Sequence, residues 1–248
     1  MKKYLIWDFD GTLGYRESGW TGALVEVLRR NAPDCAATAD HLRPHIQTGF
    51  PWHDPHQPYL VRPAQQWWKD LAPVFERAFV AVGITAPQAQ HLAGEVRHAY
   101  AAPTHWRLYD DTLPALTQLS ETGWTHLLLS NHVPELSSLL QHLQIGGFFA
   151  NVFNSAETGY EKPHPQAFLN VLDTVGDAET VWMIGDSVVA DIAGAAAAGI
   201  PGILVRKHHA DVVYQCDDLS QVPAILQTEL SPKIPSVNIG QRTDWREA

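Results

Sequence analysis

The feature that most constrains the fold is an apolar run near the N-terminus that ends in two acids. Residues 4–7 read Tyr-Leu-Ile-Trp and lead into Asp8 and Asp10. A run of this kind is typical of a strand buried in a parallel sheet with helices on both faces. Because a buried charge without a partner is very costly, the two carboxylates belong at the end of that strand. Gly11 supports a strand end, since glycine permits a tight turn and leaves backbone N–H groups facing an anion.

Length, charge and cysteine content narrow the class of protein. A chain of 248 residues can form one large domain, or a core with a smaller insert. Its net charge of −10 argues against a nucleic-acid partner, whose phosphates require clustered Lys and Arg. No apolar run is long enough for a membrane span, and the first run is too interrupted by acids for a signal peptide. Cys35 and Cys216 lack metal-ligand or disulfide spacing, so we expect reduced thiols and a cytoplasmic location.

Strand and helix patterns alternate in the second half of the chain. Strands are predicted over 125–129, 148–153, 180–184 and 200–205, and helices over 113–122, 134–143, 165–175, 188–198 and 219–229. This alternation predicts an α/β fold, a Rossmann-like doubly wound parallel sheet with right-handed crossovers. The last residues, 231–248, have weak periodicity and are expected to form an extended or partly disordered tail.

The segment between the first strand and this alternating region has a different character. From about Gly14 to Trp106 the sequence is helical and Trp-rich, without a convincing strand. Helices are predicted over 21–30, 40–48, 64–82 and 87–100, and the prolines of 49–63 predict a loop. We therefore expect a core formed by 1–14 and 107–230, with an all-helical cap domain, 15–106, inserted after the first strand. We expect Trp67, Trp68, Phe75 and Phe79 to form the interior of that cap rather than to stack on a ligand.

Polar residues recur where the predicted strands end or in the loops that follow them. They are Asp8 with Asp10, Ser130 with Asn131, Lys162, and Asp186 with Asp191. Taken singly, each has an ordinary structural explanation, such as a helix cap or a solvated surface charge. The carboxyl edge of a doubly wound sheet, however, gathers such positions into one crevice. A carboxylate can attack phosphorus there if a divalent cation and a lysine neutralise the phosphate oxygens, so the set predicts phosphoryl transfer.

In these motifs the chain resembles the haloacid dehalogenase-like hydrolase superfamily. The matching stretches are Asp8-Phe9-Asp10-Gly11-Thr12-Leu13, Leu129-Ser130-Asn131, Lys162-Pro163, and Gly185-Asp186-Ser187 followed by Asp191. They occur in the family's order, and the resemblance covers about 3–14 and 107–225. The long segment after the first strand has room for the family's first type of cap. The segment between Asn131 and Lys162 is too short for the other common type.

The resemblance implies a role for each matching residue. Asp8 would be the nucleophile that forms an aspartyl-phosphate, and Asp10 the general acid and then base, which requires a pKa above that of Asp8. Phosphate oxygens would be held by Ser130, Asn131, Lys162 and the N–H groups near Gly11. Mg²⁺ is the expected metal, bound by Asp8, the backbone carbonyl of Asp10, and Asp186, with Asp191 in an outer position. Members that displace halide from carbon lack the second acid, so Asp10 favours phosphate esters.

The resemblance leaves the substrate and the oligomeric state open. We expect a small phosphorylated metabolite and a monomer or homodimer. Candidate substrate selectors follow the first strand or lie in the proline-rich loop: Tyr15, Arg16, Glu17, Trp20, Trp52, His53 and His56. Two alternatives remain at this point. One is a phosphomutase acting on a sugar phosphate, and the other is a binding or regulatory protein that uses the same fold without catalysis.

Overall fold

The first apolar run forms the centre of the main sheet. The computed structural model describes residues 2–178 and 180–228, so the predicted tail over 231–248 lies outside the described residues. Within those ranges the strands are β1 (Lys3–Trp7), β2 (Gly14–Arg16), β3 (Trp106–Leu108), β4 (Trp124–Ser130), β5 (Phe149–Asn154), β6 (Thr180–Gly185), β7 (Gly202–Val205) and β8 (Gln215–Cys216).

The helices flank this sheet and fill the segment between β2 and β3. They are α1 (Gly19–Asn31), α2 (Ala39–Leu42), α3 (Ala64–Ala81), α4 (Ala86–Tyr100), α5 (Thr112–Glu121), α6 (Leu136–His142), α7 (Ser155–Thr158), α8 (Pro165–Val175), α9 (Gly194–Ala197) and α10 (Val222–Thr228). Short 3₁₀ turns lie at Arg43–His45, Pro51–His53, Pro103–His105, Gly146–Phe148 and Leu219–Gln221. None of these helices is long and apolar enough to cross a membrane.

The main sheet has the order β5-β4-β1-β6-β7-β8, with every neighbouring pair parallel. From β1 the sheet continues to β4 and β5 on one side, and from β6 it continues to β7 and β8 on the other side. The direction of winding therefore reverses between β1 and β6. Ligands of such sheets bind outside the carboxyl ends of the strands at this reversal. The predicted α/β class and doubly wound parallel sheet are confirmed.

Both faces of the sheet are buried, which explains why the strands read as apolar runs. Side chains alternate between the faces, so Leu5 and Trp7 join one apolar cluster while Ile6 joins the other. The second cluster is closed by α8, which contributes Phe168 and Val171. The predicted strands and most of the predicted helices match the structure within two residues at each end, whereas β8 and the short helix α7 were not predicted.

Three local predictions need correction. The segment from Gly14 to Trp106 does contain a strand, because β2 pairs antiparallel with β3. Each strand of this ribbon has three residues, too few for an alternating pattern to be visible in the sequence. The helix predicted over 40–48 is shorter, since α2 gives way to a 3₁₀ turn that contains Pro44. The helix predicted over 188–198 begins as a wide π-helical turn, Val188–Ala193.

The segment between β2 and β3, residues 17–105, is called the helical insertion below. Its interior contains Trp67, Trp68, Phe75 and Phe79, all buried in one apolar cluster, as predicted. The insertion also contacts the sheet domain through Glu135, which accepts hydrogen bonds from Trp68 Nε1 at 3.1 Å and from Arg97 Nε at 2.8 Å. The ribbon of β2 and β3 forms the two chain connections between the insertion and the sheet.

A buried histidine in β4 ties this strand to β1. His126 Nδ1 accepts a hydrogen bond of 2.8 Å from Trp7 Nε1, so this nitrogen carries no proton. His126 Nε2 lies 3.1 Å from the carbonyl oxygen of Leu116. Burial lowers the pKa of His126 from 6.5 to about 4, which keeps the ring neutral in the folded protein.

This histidine predicts a defined loss of stability in acid. Between pH 6.5 and 4 the unfolded state binds a proton at His126 that the folded state does not, so stability falls as the pH falls through this range. We expect wild type to lose about 3 kcal/mol more than His126→Asn, measured as the free energy of unfolding in urea at several pH values. The exposed His142 provides the control, because His142→Gln should keep the wild-type pH dependence. Equal pH dependence in all three proteins would contradict the account.

Candidate active site

Carboxylates from three positions meet at the reversal point between β1 and β6. Asp8 follows β1, Asp186 follows β6, and Asp191 lies in the π-helical turn after it. Each offers a carboxylate oxygen, and these oxygens all lie within 4.8 Å of one another. Such a group is stable only with cations close by, since like charges at this distance repel strongly. The sheet topology thus brings together acids that are far apart in the sequence, as predicted.

Lys162 supplies the buried positive charge at the centre of this group. Its Nζ donates to Asp8 Oδ1 at 2.7 Å and to Asp191 Oδ1 at 2.6 Å, and the side chain is 2% exposed. Burial acts to lower the pKa of Lys162, but the charges of Asp191 and Asp8 outweigh it and raise the pKa. Lys162 therefore stays charged at neutral pH, directly beside Asp8.

The carboxylate of Asp8 is held by neighbours on three elements. Ser130 Oγ, at the end of β4, donates to Asp8 Oδ1 at 3.2 Å, and Thr12 Oγ1 donates to Asp8 Oδ2 at 3.4 Å. Together with Lys162 these donors fix the orientation of a carboxylate that is 6% exposed. The Asp8 carboxylate is thus held in a defined orientation by three donors.

The side chain of Asn131 is engaged with the main chain of Lys162 rather than directed at a phosphate position. Its Nδ2 donates to the carbonyl oxygen of Lys162 at 2.9 Å, and its Oδ1 accepts from the Lys162 N–H at 2.7 Å. The carboxamide therefore holds the main chain of Lys162 from both sides. Sequence reasoning missed this clamp, and the phosphate-binding role of Asn131 stays a prediction.

Asp10 lies in the same cleft with a distinct environment. Burial of the carboxyl group, together with the charges of Asp8 and Asp186, raises the pKa of Asp10 well above its usual range. The side chain faces the cleft and keeps 40% of its surface accessible. The structure thus places a carboxyl with a raised pKa in the same cleft as the Lys162-bound carboxylate of Asp8.

Gly11 allows the strand end to approach Asp186 closely. Its φ is +79°, and a Cβ built on it would lie 2.5 Å from Asp186 Oδ2. A side chain at this position would therefore be both strained and in collision with the acid. The Gly11 N–H donates to the carbonyl oxygen of Gly14 at 2.9 Å, which closes the tight turn predicted after the first strand.

The donor set fits a hard divalent cation. Both oxygens of Asp191 accept hydrogen bonds, from Lys162 Nζ and from the Ser187 N–H. The outer position of this acid stays a prediction. Asp186 forms an ion pair with a lysine, since Lys207 Nζ lies 3.0 Å from its Oδ2. Its carboxylate is therefore oriented toward a positive charge. Burial and the charge of Asp8 raise the pKa of Asp186, while Lys207 opposes the shift. Carboxylate oxygens clustered in this way are the ligands that Mg²⁺ prefers.

The predicted substrate selectors fall into two groups. Arg16 is buried, and its guanidinium donates to the carbonyl oxygens of Ala99, Tyr100 and Gly19, so it joins β2 to α1 and α4. Trp20 stacks on Tyr100 with ring centroids 3.6 Å apart, and Trp52 stacks on Phe50. The N–H of Phe50 donates to His53 Nδ1. These four side chains are engaged with the interior of the helical insertion.

The remaining selectors lie at the surface. Tyr15 is 37% exposed and contacts the ring of Tyr109, with centroids 4.9 Å apart. His56 is exposed in the loop after the 3₁₀ turn, and Glu17 lies 4.0 Å from Arg107. The charges of Asp186 and Asp10 contribute to a raised pKa of Tyr109, after burial as the main cause, which locates Tyr109 at the rim of the cleft. Of this group, Tyr15 is the residue in contact with a side chain whose pKa responds to the acids of the site.

Two residues near Asp10 were not predicted as site residues. His132 is buried, its Nε2 lies 3.6 Å from Asp10 Oδ2, and its Nδ1 lies 3.1 Å from the Val133 carbonyl oxygen. Burial lowers the pKa of His132 to about 4. Tyr100, at the end of α4, has a pKa that is raised by burial and then by the charge of Asp10. The position of His132 directly after Ser130-Asn131 was the available signal, whereas Tyr100 had none.

Comparison with known proteins agrees with this geometry. A sequence model of the haloacid dehalogenase-like hydrolases matches residues 2–199. The chain is 30% identical to glyceraldehyde 3-phosphate phosphatase of Methanopyrus kandleri over 84% of this chain and 85% of that one. It is 28% identical to phosphoglycolate phosphatase of Rhodospirillum rubrum over 83% of this chain and 80% of that one.

A solved structure supports the fold independently. The HAD-hydrolase YfnB of Bacillus subtilis, a putative enzyme crystallised with bound magnesium, superposes with a TM-score of 0.71 at 21% identity. The match covers 91% of this chain and 99% of that one. The sequence match, the parallel sheet and the acids at its carboxyl edge lead to one conclusion: the chain belongs to the haloacid dehalogenase-like hydrolase family.

Proposed function

We propose that this hydrolase is a Mg²⁺-dependent phosphatase that cleaves a small phosphorylated metabolite through an aspartyl-phosphate on Asp8. One observation carries the proposal. The Asp8 carboxylate is fixed by the buried ammonium of Lys162, and Asp10, with its raised pKa, lies two residues away. This is a nucleophile with a charged partner beside a proton donor, which is the arrangement that phosphate ester cleavage requires.

In the first step an oxygen of Asp8 attacks phosphorus, and the ester oxygen leaves with the proton of Asp10. Lys162 neutralises charge on Asp8 and on the approaching phosphate, while Ser130 holds the attacking carboxylate in position. In the second step Asp10, now ionised, takes a proton from water. That water attacks phosphorus, which releases inorganic phosphate and restores Asp8. A bound Mg²⁺, held by Asp8, Asp186 and the backbone carbonyl of Asp10, would neutralise the phosphate oxygens.

We further propose that residues 15–106, which comprise the helical insertion together with Tyr15 and Arg16 of β2 and Trp106 of β3, act as a cap over this site. Its contacts with the sheet domain through Glu135 and the two-strand connection support a separate unit above the cleft. A closed cap would exclude water and restrict the leaving group.

The free thiols of Cys35 and Cys216 support a reducing, cytoplasmic location.

The substrate class follows from the relatives, which are named for phosphoglycolate and glyceraldehyde 3-phosphate. Both are short three-carbon or two-carbon phosphate monoesters, so these two compounds are the first substrates to assay. The phosphomutase alternative predicts an isomeric sugar phosphate in place of free phosphate. The non-catalytic alternative predicts Mg²⁺ binding without turnover of any ester.

The proposed nucleophile makes a testable prediction. Replacing Asp8 with Asn removes the attacking carboxylate but keeps the side-chain volume, so turnover of 4-nitrophenyl phosphate with Mg²⁺ should fall by about a thousand-fold or more. The exposed Asp34 gives a matched control, since Asp34→Asn should stay within about two-fold of wild type. An Asp8→Asn variant that turns over at the wild-type rate would exclude the mechanism.

Metal removal tests the proposed Mg²⁺ requirement. Chelation by EDTA should abolish phosphate release, and added Mg²⁺ should restore it. In Asp186→Asn one ligand loses its charge, so the Mg²⁺ concentration for half-maximal activity should rise by about ten-fold or more. Direct titration of Mg²⁺ by calorimetry should show the same loss of affinity without substrate. Full activity after exhaustive chelation, in the wild-type protein, would contradict a metal requirement.

A further inference from the structure

The proline-rich loop between α2 and α3 is attached to the segment that carries Lys162. Tyr59, near the end of this loop, makes both attachments. Its N–H donates to the carbonyl oxygen of Gly159 at 3.1 Å, and its hydroxyl donates to Glu161 Oε1 at 2.9 Å. The loop therefore has a defined contact with the sheet domain, next to the lysine of the site.

Gly159 makes the close approach of the two main chains possible. Its φ is +78°, and a Cβ built on it would lie 2.5 Å from the carbonyl oxygen of Tyr59. Any side chain at this position would push the loop away. The contact between Tyr59 and Gly159 is thus a close main-chain approach that few other residues could permit.

Glu161 depends on Tyr59 more than a solvated acid would. The residue is 1% exposed, and its Oε2 has no hydrogen-bond partner in the part of the chain that the structure describes. Burial raises the pKa of Glu161 to about 7, and hydrogen bonding to Tyr59, then to Ser155, and the charge of Lys162 act against that rise. A buried carboxyl with one unpaired oxygen is costly, so loss of the Tyr59 hydroxyl would leave the group with still fewer partners.

Lys162 follows Glu161 directly and is held by the same short segment. Asn131 clamps the main chain of Lys162, while Asp8 and Asp191 bind its ammonium. The segment is thus attached through Tyr59 to the loop of the helical insertion, and through Asn131, Asp8 and Asp191 to the site. A shift of Glu161 would be transmitted to the neighbouring residue, and small displacements of a catalytic group cost large factors in rate.

We propose that Tyr59 and Glu161 are positioning residues, whose hydrogen bond docks the loop of the helical insertion and holds Lys162 against Asp8. This inference rests on the proposed phosphatase function. It also reassigns the loop, whose residues the sequence marked as substrate selectors, to alignment of the catalytic lysine. The selector and positioning roles make different predictions for inorganic phosphate, which contains no leaving group to select.

The decisive comparison is Tyr59→Phe against Tyr160→Phe. Both remove one hydroxyl, but Tyr160 lies on the Lys162 segment, where its ring contacts His164. In Tyr59→Phe we expect kcat/KM for the best ester to fall about tenfold and Ki for inorganic phosphate to rise by a similar factor. Tyr160→Phe should stay within about two-fold of wild type in both constants. A change in KM for the ester with an unchanged Ki for phosphate would make Tyr59 a selector and overturn the positioning role.

Variants at Glu161 test the same bond from its other end. Glu161→Gln keeps an oxygen that accepts from Tyr59 and should retain kcat/KM within about three-fold, whereas Glu161→Leu should lose about as much as Tyr59→Phe. The double variant Tyr59→Phe/Glu161→Leu should be no worse than either single variant, since both remove one interaction. Additive losses in the double variant would show that the two residues act independently, contrary to the proposal.

Hydrogen–deuterium exchange provides a readout that needs no activity. Tyr59→Phe should speed exchange in peptides covering 57–62 and 159–162 while α8 keeps its wild-type rate. Wild-type exchange in both peptides would overturn the proposal even if turnover changed. If wild-type protein hydrolyses no phosphate ester, the proposed function fails, and the exchange experiment still decides whether the Tyr59–Glu161 contact holds the segment.

Discussion

The site depends on the burial of one lysine between two acids. Lys162 is 2% exposed and binds Asp8 and Asp191 through one ammonium group. Removing one member of a buried ion pair typically costs about 3–5 kcal/mol, because the remaining charge loses its compensation. Carboxylate oxygens within 4.8 Å of one another repel strongly, and the ammonium offsets part of this repulsion. The lysine thus makes a crowded group of carboxylates possible at the edge of the sheet.

The rest of the fold holds this lysine and its partners in register. The parallel sheet brings the ends of β1, β4 and β6 to one edge, and Asn131 fixes the main chain of Lys162 from both sides. Asp10 differs from Asp8 through its surroundings rather than its chemistry. Asp8 is bound by an ammonium, while burial and neighbouring acids raise the pKa of Asp10. Two like residues can thereby hold unequal duties within one short motif.

The sequence was informative where local pattern and strand order determine position. Apolar runs located β1, β4, β5, β6 and β7. Asp8, Ser130 and Asp186 follow from their placement at strand ends, and Lys162 from its place in a loop after β5. The sequence could not indicate contacts between residues that are far apart along the chain. Tyr59 reaches Glu161 over a separation of 102 residues, and His132 faces Asp10 only because β1 and β4 are neighbours. The contacts of Arg16 are of the same kind, since its guanidinium donates to carbonyl oxygens of α1 and α4.

The most direct test of the account is the mass of the peptide that contains Asp8 in Asp10→Asn during reaction with 4-nitrophenyl phosphate and Mg²⁺. The aryl leaving group departs without an acid, but the second step lacks its base. The phosphoryl group should therefore accumulate on Asp8, with nitrophenol released in a burst of one equivalent per active site. A burst with no phosphorylated peptide, or a phosphoryl group on another residue, would contradict nucleophilic attack by Asp8.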